Sequence, residues 1–599
     1  MAMRMDALTR VPWQPPIKTV SGARWVVHVG YDAWPASFSR HLTPDISLMS
    51  QPSGADTSPG SPAGAWGPLQ LPAFRIFWLA SLGSNIGTWI NTTTSGWVMT
   101  DLSSSPVMVS LVQAATSLPV VMLALIAGAL TDTIDHRRYL IVTQIWMTMT
   151  AAMLAVLTAT GQLNAWSLLV LTFALGLGTA MAMPALSAAI AELVPRNLLP
   201  QAVVLNSLSM NVSRSIGPAI GGLVLAQFGA WVAYSLNMIS FIGMIVMLWY
   251  WKRLPDEHAL PSERFLQALR AGLRYSWMAS SFRAVLVRAT AFIVFASSVW
   301  ALLPLIARHE LAGNPGTYGF LLTSAGIGAV IAAIVLPSIR TQTTRGHMVF
   351  IATTVYALTT LAIATIRNEV ALCVVMAICG AAWLTTLSSL QVAAQISVPA
   401  WVRGRALSLY IMIFFAGMTL GSLLWGWVAA YTNTPVAMLI SAAGAVLAAL
   451  MVRKFSLGSQ EPPDLAPSYH WSHPLIAEEP DKNRGPVLVT IEYNIAIDRR
   501  ADFLQAIQSL GIIRRRDGAF AWGVFEDLAA PGHYIEIFQV DSWLDHLRQH
   551  ARITREDQRI QEAINRFHIG VTAPKVSHFA GGTPASSTSH ESVTTNSIP

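Results

Sequence analysis

The chain has 599 residues, 53% of them hydrophobic and 12% charged. A soluble domain carries roughly 25% charged residues, so most of this surface faces lipid rather than water. The net charge of +7 raises nucleic acid as a partner, but the basic residues are confined to alternate connections between apolar runs, which excludes it. Two cysteines, Cys373 and Cys379, share one apolar run and imply neither a disulfide framework nor a metal site.

Residues 1–66 are rich in Pro, Ser and Gly, lack the continuous apolar stretch of a signal peptide, and read as a disordered tail. Nearly uncharged runs follow, each close to the roughly 20 residues that span hydrocarbon. Six lie at 75–99, 106–130, 139–160, 166–190, 203–227 and 230–251. Six more lie at 284–306, 318–337, 348–366, 370–395, 406–430 and 435–452. The expected fold is therefore an all-α bundle of 12 membrane helices. Its six-helix halves, 67–252 and 284–455, flank a central loop over 253–283.

One set of connections holds Arg137, Arg138, Arg196, Lys252, Arg253, Arg340, Arg345, Arg403 and Arg405. The opposite set holds only Arg308 and Arg367. Positive residues stay in the cytoplasm, which puts both termini inside a bacterial inner membrane. The halves also resemble each other: at one constant spacing Gly217 meets Gly421 and Gly222 meets Gly426. Two such halves, related as parallel repeats, are a plan of membrane transporters, with the substrate between them near midplane.

Polar residues inside apolar runs are the candidate site. Asn85, Asn91 and Thr92 give the first span a polar side; Asn85 and Thr92 are seven apart and share a face. A cavity wall and interhelical hydrogen bonding explain them equally well. Trp89, Trp97, Trp300 and Trp383 suit an aromatic cavity or interface belts. Arg214 lies deep in the fifth span, where an Arg costs about 2.5 kcal/mol or more, and so faces a cavity or a partner. Arg288 is nearer the cytoplasmic end, where it can snorkel. The spans contain almost no acid, and no phosphate-binding Gly-rich loop is present, which argues against an ATP-driven pump.

After a linker over 456–485 the pattern changes to α+β. Residues 487–495 alternate as a strand, and 499–511 form a helix with Phe503, Leu504, Ile507 and Leu510 on one face. Strands at 519–526 and 533–540 flank a turn at Ala530-Pro531-Gly532, and 542–567 read as one amphipathic helix. This β-α-β-β-α order suggests a small cytoplasmic ferredoxin-like domain over 486–571, suited to self-association, followed by a disordered tail over 572–599. His546 and His550 have the i, i+4 spacing of zinc ligands, but no third or fourth ligand stands out, so no metal is expected. No catalytic set and no cofactor site is apparent.

Three segments carry a family resemblance. Gly128 to Arg138 (G-A-L-T-D-T-I-D-H-R-R) resembles the signature loop of the major facilitator superfamily, with Thr133 where Arg is usual and Asp135 where Gly is usual. The resemblance implies a conformational switch at Gly128, Asp132, Arg137 and Arg138. The stretch Gly217-Pro218-Ala-Ile-Gly221-Gly222, with Arg214 ahead of it, resembles the G-P-x-x-G-G helix of the superfamily's exporters. The run from Ser542 to Thr554, together with Trp300-Ala-Leu-Leu-Pro304, resembles the transmembrane secretion effectors, a subgroup that includes enterobactin-exporter-like proteins. The implied function is proton-coupled export of a small molecule, a siderophore or a drug-like compound, by alternating access. The alternative is a membrane-tethered sensor or enzyme with the C-terminal domain as its active part.

Overall fold

The computed structural model describes residues 66–251, 265–340, 343–457, 464–468, 470–471, 480–482 and 484–581, all within one compact unit. The expected tails at 1–65 and 582–599, and parts of the central loop and linker, lie outside the described residues.

Among the described residues, twelve long helices make the bundle. The first six are α1 (Pro72–Leu102), α2 (Pro106–Thr133), α3 (His136–Ala159), α4 (Ala165–Leu193), α5 (Leu199–Phe228) and α6 (Ala230–Tyr250). A short α7 (Phe265–Met278) follows. The second six are α8 (Ser280–Leu305), α9 (Pro315–Arg340), α10 (Arg345–Thr365), α11 (Glu369–Ile396), α12 (Arg403–Tyr431) and α13 (Thr434–Met451). Ten of these are long and apolar enough to cross a membrane. The other two, α1 and α5, are the helices that carry the Asn, Thr and Arg residues singled out in the sequence.

Helix starts follow local chemistry. Pro72 and Pro106 open α1 and α2 at positions where a missing N–H costs nothing. Asn164 and Ser167 cap α4 reciprocally, and Asn368 and Asn433 cap α11 and α13. Pro119, Pro184, Pro218 and Pro304 sit inside helices, which neighbouring helices tolerate in a membrane bundle.

The central segment 253–283 is not wholly loop: α7 occupies Phe265–Met278 and packs against α12. Its apolar face is only one helical stripe wide, so a search for span-length apolar runs passes over it.

The halves meet through α5 on α9, α2 on α12 and α8, and α1 on α8 and α9. A Cβ at Gly222 would stand 2.7 Å from the Pro315 carbonyl and 2.9 Å from Gly319 Cα, so only hydrogen lets α5 approach α9 this closely. Ser110 Oγ packs on Gly426, and Thr419 Oγ1 donates to Ser117 Oγ at 3.1 Å. Arg308, in a π-helical turn after α8, pairs with Asp101 at the end of α1 and donates to Thr100. Asp101, Arg308, Gly222 and Gly426 lie toward the helix ends opposite those that adjoin α7 and the α11–α12 turn, and Ser117 and Thr419 lie near mid-helix.

That domain consists of β1 (Val487–Asn494), α14 (Arg500–Asp517), β2 (Ala521–Glu526), β3 (His533–Val540), α15 (Trp543–Arg552), α16 (Arg555–Asn565) and β4 (Lys575–Ala580). The sheet order is β2-β3-β1-β4 with every pairing antiparallel. Strict alternation along β1 turns Val487, Val489, Ile491 and Tyr493 inward onto Phe503, Ile507 and Leu510 of α14. Two expectations are corrected. The helix over 542–567 is two helices, because Thr554 and Asp557 form a capping box that starts α16 afresh. The segment from 572 is not all tail: β4 pairs with β1, so the domain runs past 571. Strand β4 lies at a sheet edge and is largely exposed, which removes the alternation that marks a strand in sequence.

Candidate functional site

The polar side of α1 lines a cavity within the N-terminal half. Thr88, Asn91, Thr92 and Ser95 fall at i, i+3, i+4 and i+7, one helical face. Val112 and Thr116 of α2, Met147 of α3, Thr172, Leu175, Gly176 and Thr179 of α4, and Asn237 and Phe241 of α6 complete the wall. The cavity volume is about 70 Å³. The Thr88 and Thr92 hydroxyls donate back to carbonyls one turn earlier, Ser84 and Thr88, both at 2.9 Å. Ser95 Oγ lies 3.3 Å from the Tyr234 hydroxyl.

Asn91 Oδ1, Thr172 Oγ1 and Asn237 Oδ1 are buried and have no hydrogen-bond partner among the described residues. An unmet buried acceptor costs about 1–3 kcal/mol. Three such atoms around one cavity can accept hydrogen bonds from water or from a guest that enters it. No charged side chain lines the wall, and Val112, Met147, Leu175 and Phe241 supply apolar surface. The arrangement suits an amphipathic guest that offers hydrogen-bond donors.

Of the expected cavity residues, Asn91 and Thr92 line this space. Asn85 is half-buried on α1 outside the wall. Trp300 is elsewhere: it packs on Trp383 at 5.2 Å between ring centroids, in the C-terminal half. Trp383 also meets Phe292, Tyr356 and Phe414 at 5.7, 5.9 and 6.2 Å, a filled aromatic cluster. Sequence reading missed Thr172, Thr179 and Asn237. The seven-residue spacing of the two threonines on α4 was the available signal.

On α5, Gly217 and Gly221 face Trp89 and Ile90 of α1, whereas Gly222 faces α9. Pro218 is fully packed, and its carbonyl lies 2.7 Å from where a Gly319 Cβ would stand. Arg214 is half-buried with its guanidinium 5.4 Å from the Trp89 ring centroid, and no carboxylate pairs with it among the described residues. In the signature loop, Asp135 caps α3 by accepting from the Arg138 backbone N–H at 2.9 Å. Arg137 donates to the Leu248 and Trp249 carbonyls at the end of α6, within its own half, and Arg138 is exposed. The surroundings of Gly128 and the side chain of Asp132 lie outside the described residues. Arg288 does not snorkel. It is buried and donates to the Phe455, Gly346 and Arg453 carbonyls, tying the ends of α10 and α13 together.

The C-terminal domain is fastened to the bundle through α7 and the α11–α12 turn. The Arg516 guanidinium lies 5.6 Å from the Tyr275 ring centroid, and that of Arg552 lies 4.5 Å from the Trp401 ring centroid. Arg274 donates to the Gly518 carbonyl at 3.4 Å. Beneath them Arg516 bridges Asp517 and Asp557. Burial opposes ionisation of both acids. Asp517 stays above the usual carboxylate range, while Arg516 and the Thr554 hydrogen bonds hold Asp557 below it.

Inside the domain His578 of β4 stands opposite Val489 of β1, on the helix-covered face, and meets His546 and His550 of α15. Burial and then the neighbouring His550 and His578 push His546 down to about 3.

A family model described as "Transmembrane secretion effector" matches residues 63–584, nearly the whole chain and all of the C-terminal domain. The chain belongs to that family. It is 26% identical over 357 residues to the staphyloferrin A transporter of Staphylococcus aureus, covering 58% of this chain and 88% of that protein. It is 25% identical over 373 residues to the multidrug efflux pump Tap of Mycolicibacterium fortuitum, covering 60% and 88%. It is 28% identical over 301 residues to the enterobactin exporter EntS of Escherichia coli, covering 49% and 71%. Among solved structures, a bacterial homologue of the lysosomal transporter Spinster, inward-facing, superposes with a TM-score of 0.52 at 13% identity, over 65% of this chain and 97% of that one. That likeness shows the fold. The protein is a multi-pass membrane transporter of the major facilitator superfamily and not an enzyme.

Proposed function

We propose that this transporter exports a small amphipathic compound of the siderophore or drug class from the cytoplasm across the inner membrane, in exchange for protons. The observation that carries the reading is the cavity among α1, α2, α3, α4 and α6, with three unpartnered oxygen acceptors in a wall that is otherwise apolar and hydroxyl-bearing. The bundle is taken as 12 spans with both termini cytoplasmic, because α1 and α5 run the full length of their neighbours and the basic connections share one side.

On that orientation the contacts of Asp101 with Arg308 and of Gly222 with Gly319 close the outer side, and the cavity belongs to an inward-facing state. Rocking of the halves then opens α5 from α9 and exposes the guest outward. Asn91 and Thr92 serve as cavity contacts, with Asn85 and Trp300 outside it. Gly217, Pro218, Gly221 and Gly222 form the exporter hinge, and Arg214 beside Trp89 attracts an anionic group of the cargo. Gly128, Asp132, Arg137 and Arg138 form the switch. The C-terminal domain, with the split β-α-β topology of a ferredoxin-like fold, serves regulation and self-association.

The test is uptake of labelled siderophores and cationic dyes into energised everted vesicles, with and without a protonophore. Uptake that is protonophore-sensitive and reduced in Arg214→Ala at normal expression supports the reading. Uptake of none of the panel, or uptake indifferent to the protonophore, rejects export or proton coupling respectively.

A further inference from the structure

We propose that His546, His550 and His578 of the C-terminal domain bind one divalent transition metal of the zinc class. The reading does not depend on the cargo or on the direction of transport.

Geometry carries it. His546 and His550 are one turn apart on α15, and their Nε2 atoms are 3.3 Å from each other. Two imidazole nitrogens at about 2.0–2.1 Å from a tetrahedral zinc ion stand about 3.3–3.4 Å apart. The third nitrogen comes from β4, and one ligand atom from each histidine lies within 4.8 Å of the others. Closing the remaining gap takes a shift of at most about 1.5 Å, within reach of side-chain rotation.

The surroundings match those of a metal site. His546 Nδ1 faces Gln549 Oε1 at 3.4 Å, the outer-shell hydrogen bond that fixes a ligating ring. Trp543 packs on His546 and His578 at centroid distances of 5.4 and 6.0 Å, and Trp471 packs edge-on to His550 at 4.8 Å. These rings pack against the ligands, of which His546 is buried and His550 and His578 are partly exposed. Arg514, whose guanidinium packs on Trp471 and Phe538, donates to the fully buried Glu536 at 3.1 Å, so the pair is neutral as a unit. Three neutral ligands leave the fourth position for water or an anion, as at other His-only zinc sites.

The site also has a mechanical consequence. A metal there clips the edge strand β4 to α15, whose last turn carries Arg552 onto Trp401 between α11 and α12. An edge strand of the domain is joined in this way to the helix that touches the transport bundle.

The experiment uses the full chain, purified in detergent with a tag free of histidine, stripped with chelator and titrated with Co²⁺ or Zn²⁺. The expected result is one metal per chain, with visible ligand-field bands of a four-coordinate Co²⁺ site. Outer-shell losses alone weaken metal sites about 10–100-fold, so His578→Ala and His546→Ala are expected to weaken binding at least about 100-fold. His578→Cys, which supplies another zinc ligand, retains stoichiometric binding and covers the case in which His578→Ala unfolds the domain. His533→Ala and His568→Ala leave binding unchanged. An N–H···N hydrogen bond between neutral rings explains the 3.3 Å distance without a metal. It predicts no metal retained, or weak binding indifferent to His578→Ala and His578→Cys, and either result overturns the site.

Discussion

The two six-helix halves share a plan and differ in what fills them. The spacing that pairs Gly217 with Gly421 also pairs Thr88 with Phe292, Thr179 with Trp383 and Asn237 with Ser441. In the N-terminal half Thr88, Thr179 and Asn237 border open space, and Asn237 Oδ1 is unpartnered. In the C-terminal half Phe292 and Trp383 occupy the equivalent volume with packed rings, and the Ser441 hydroxyl lies 2.8 Å from both the Phe295 carbonyl and Ser298 Oγ. One half brings unmet oxygen acceptors to the edge of an open space, which suits it to recognition. The other also keeps buried polar groups without partners among the described residues, at Trp300, Thr323, Trp383 and Thr386, but it sets both indoles into a cluster of packed rings. Groups that bind a guest must stay unpaired until it arrives, whereas packed rings leave no room for one at the equivalent position.

Substitutions that exchange the two characters test this most severely. Thr179→Trp puts the C-terminal half's residue into the cavity and is expected to reduce vesicle transport at least about 100-fold, while the protein still inserts and folds at an overpacking cost of about 1–3 kcal/mol. Near-normal transport in that variant would show that the cargo bypasses the cavity. The reciprocal loss, Trp383→Ala, is expected to lower stability by about 3–5 kcal/mol in thermal unfolding. The KM of the folded fraction should change less than twofold, and a large KM effect would move recognition into the C-terminal half.

Subtler changes sharpen the picture. Thr172→Val removes an unpartnered hydroxyl at constant shape, so the melting temperature should rise slightly. Cargo KM rises about tenfold, the equivalent of about 1.4 kcal/mol. A fall in both quantities would mean that Thr172 is structural. The smallest effect is expected at the seam. Asp101 and Arg308 are half and one-third exposed, so Asp101→Asn should cost less than about 1 kcal/mol, an effect that shrinks further with added salt. A larger, salt-independent loss of transport would make that pair a principal lock between the halves.

Legibility differed from element to element for physical reasons. The spans could be read because lipid demands about 20 apolar residues at a stretch, a constraint that needs no tertiary knowledge. Asn91 and Thr92 could be read because polar groups are costly in that setting. Trp300 lies against Trp383 rather than along this cavity, and the sequence could not tell the two apart, because an aromatic residue is equally at home in a cavity wall and in a packed core. Strand β4 was missed because an exposed edge strand has no buried face to impose alternation, and with it went His578, whose partners are some thirty residues earlier.

By itself the sequence determined the membrane bundle, its division into two halves, the family and the α+β character of the C-terminal segment. Each of these rests on residue type repeated over length, which hydrophobic burial and charge placement enforce locally. Only the tertiary structure decided which face of each helix looks inward. That rotation turned Thr172 and Asn237 into cavity walls, assigned Gly222 to the other half and made Arg288 a clamp on backbone carbonyls. Helix rotation is set by the partners a helix packs against, and those partners are remote in the chain.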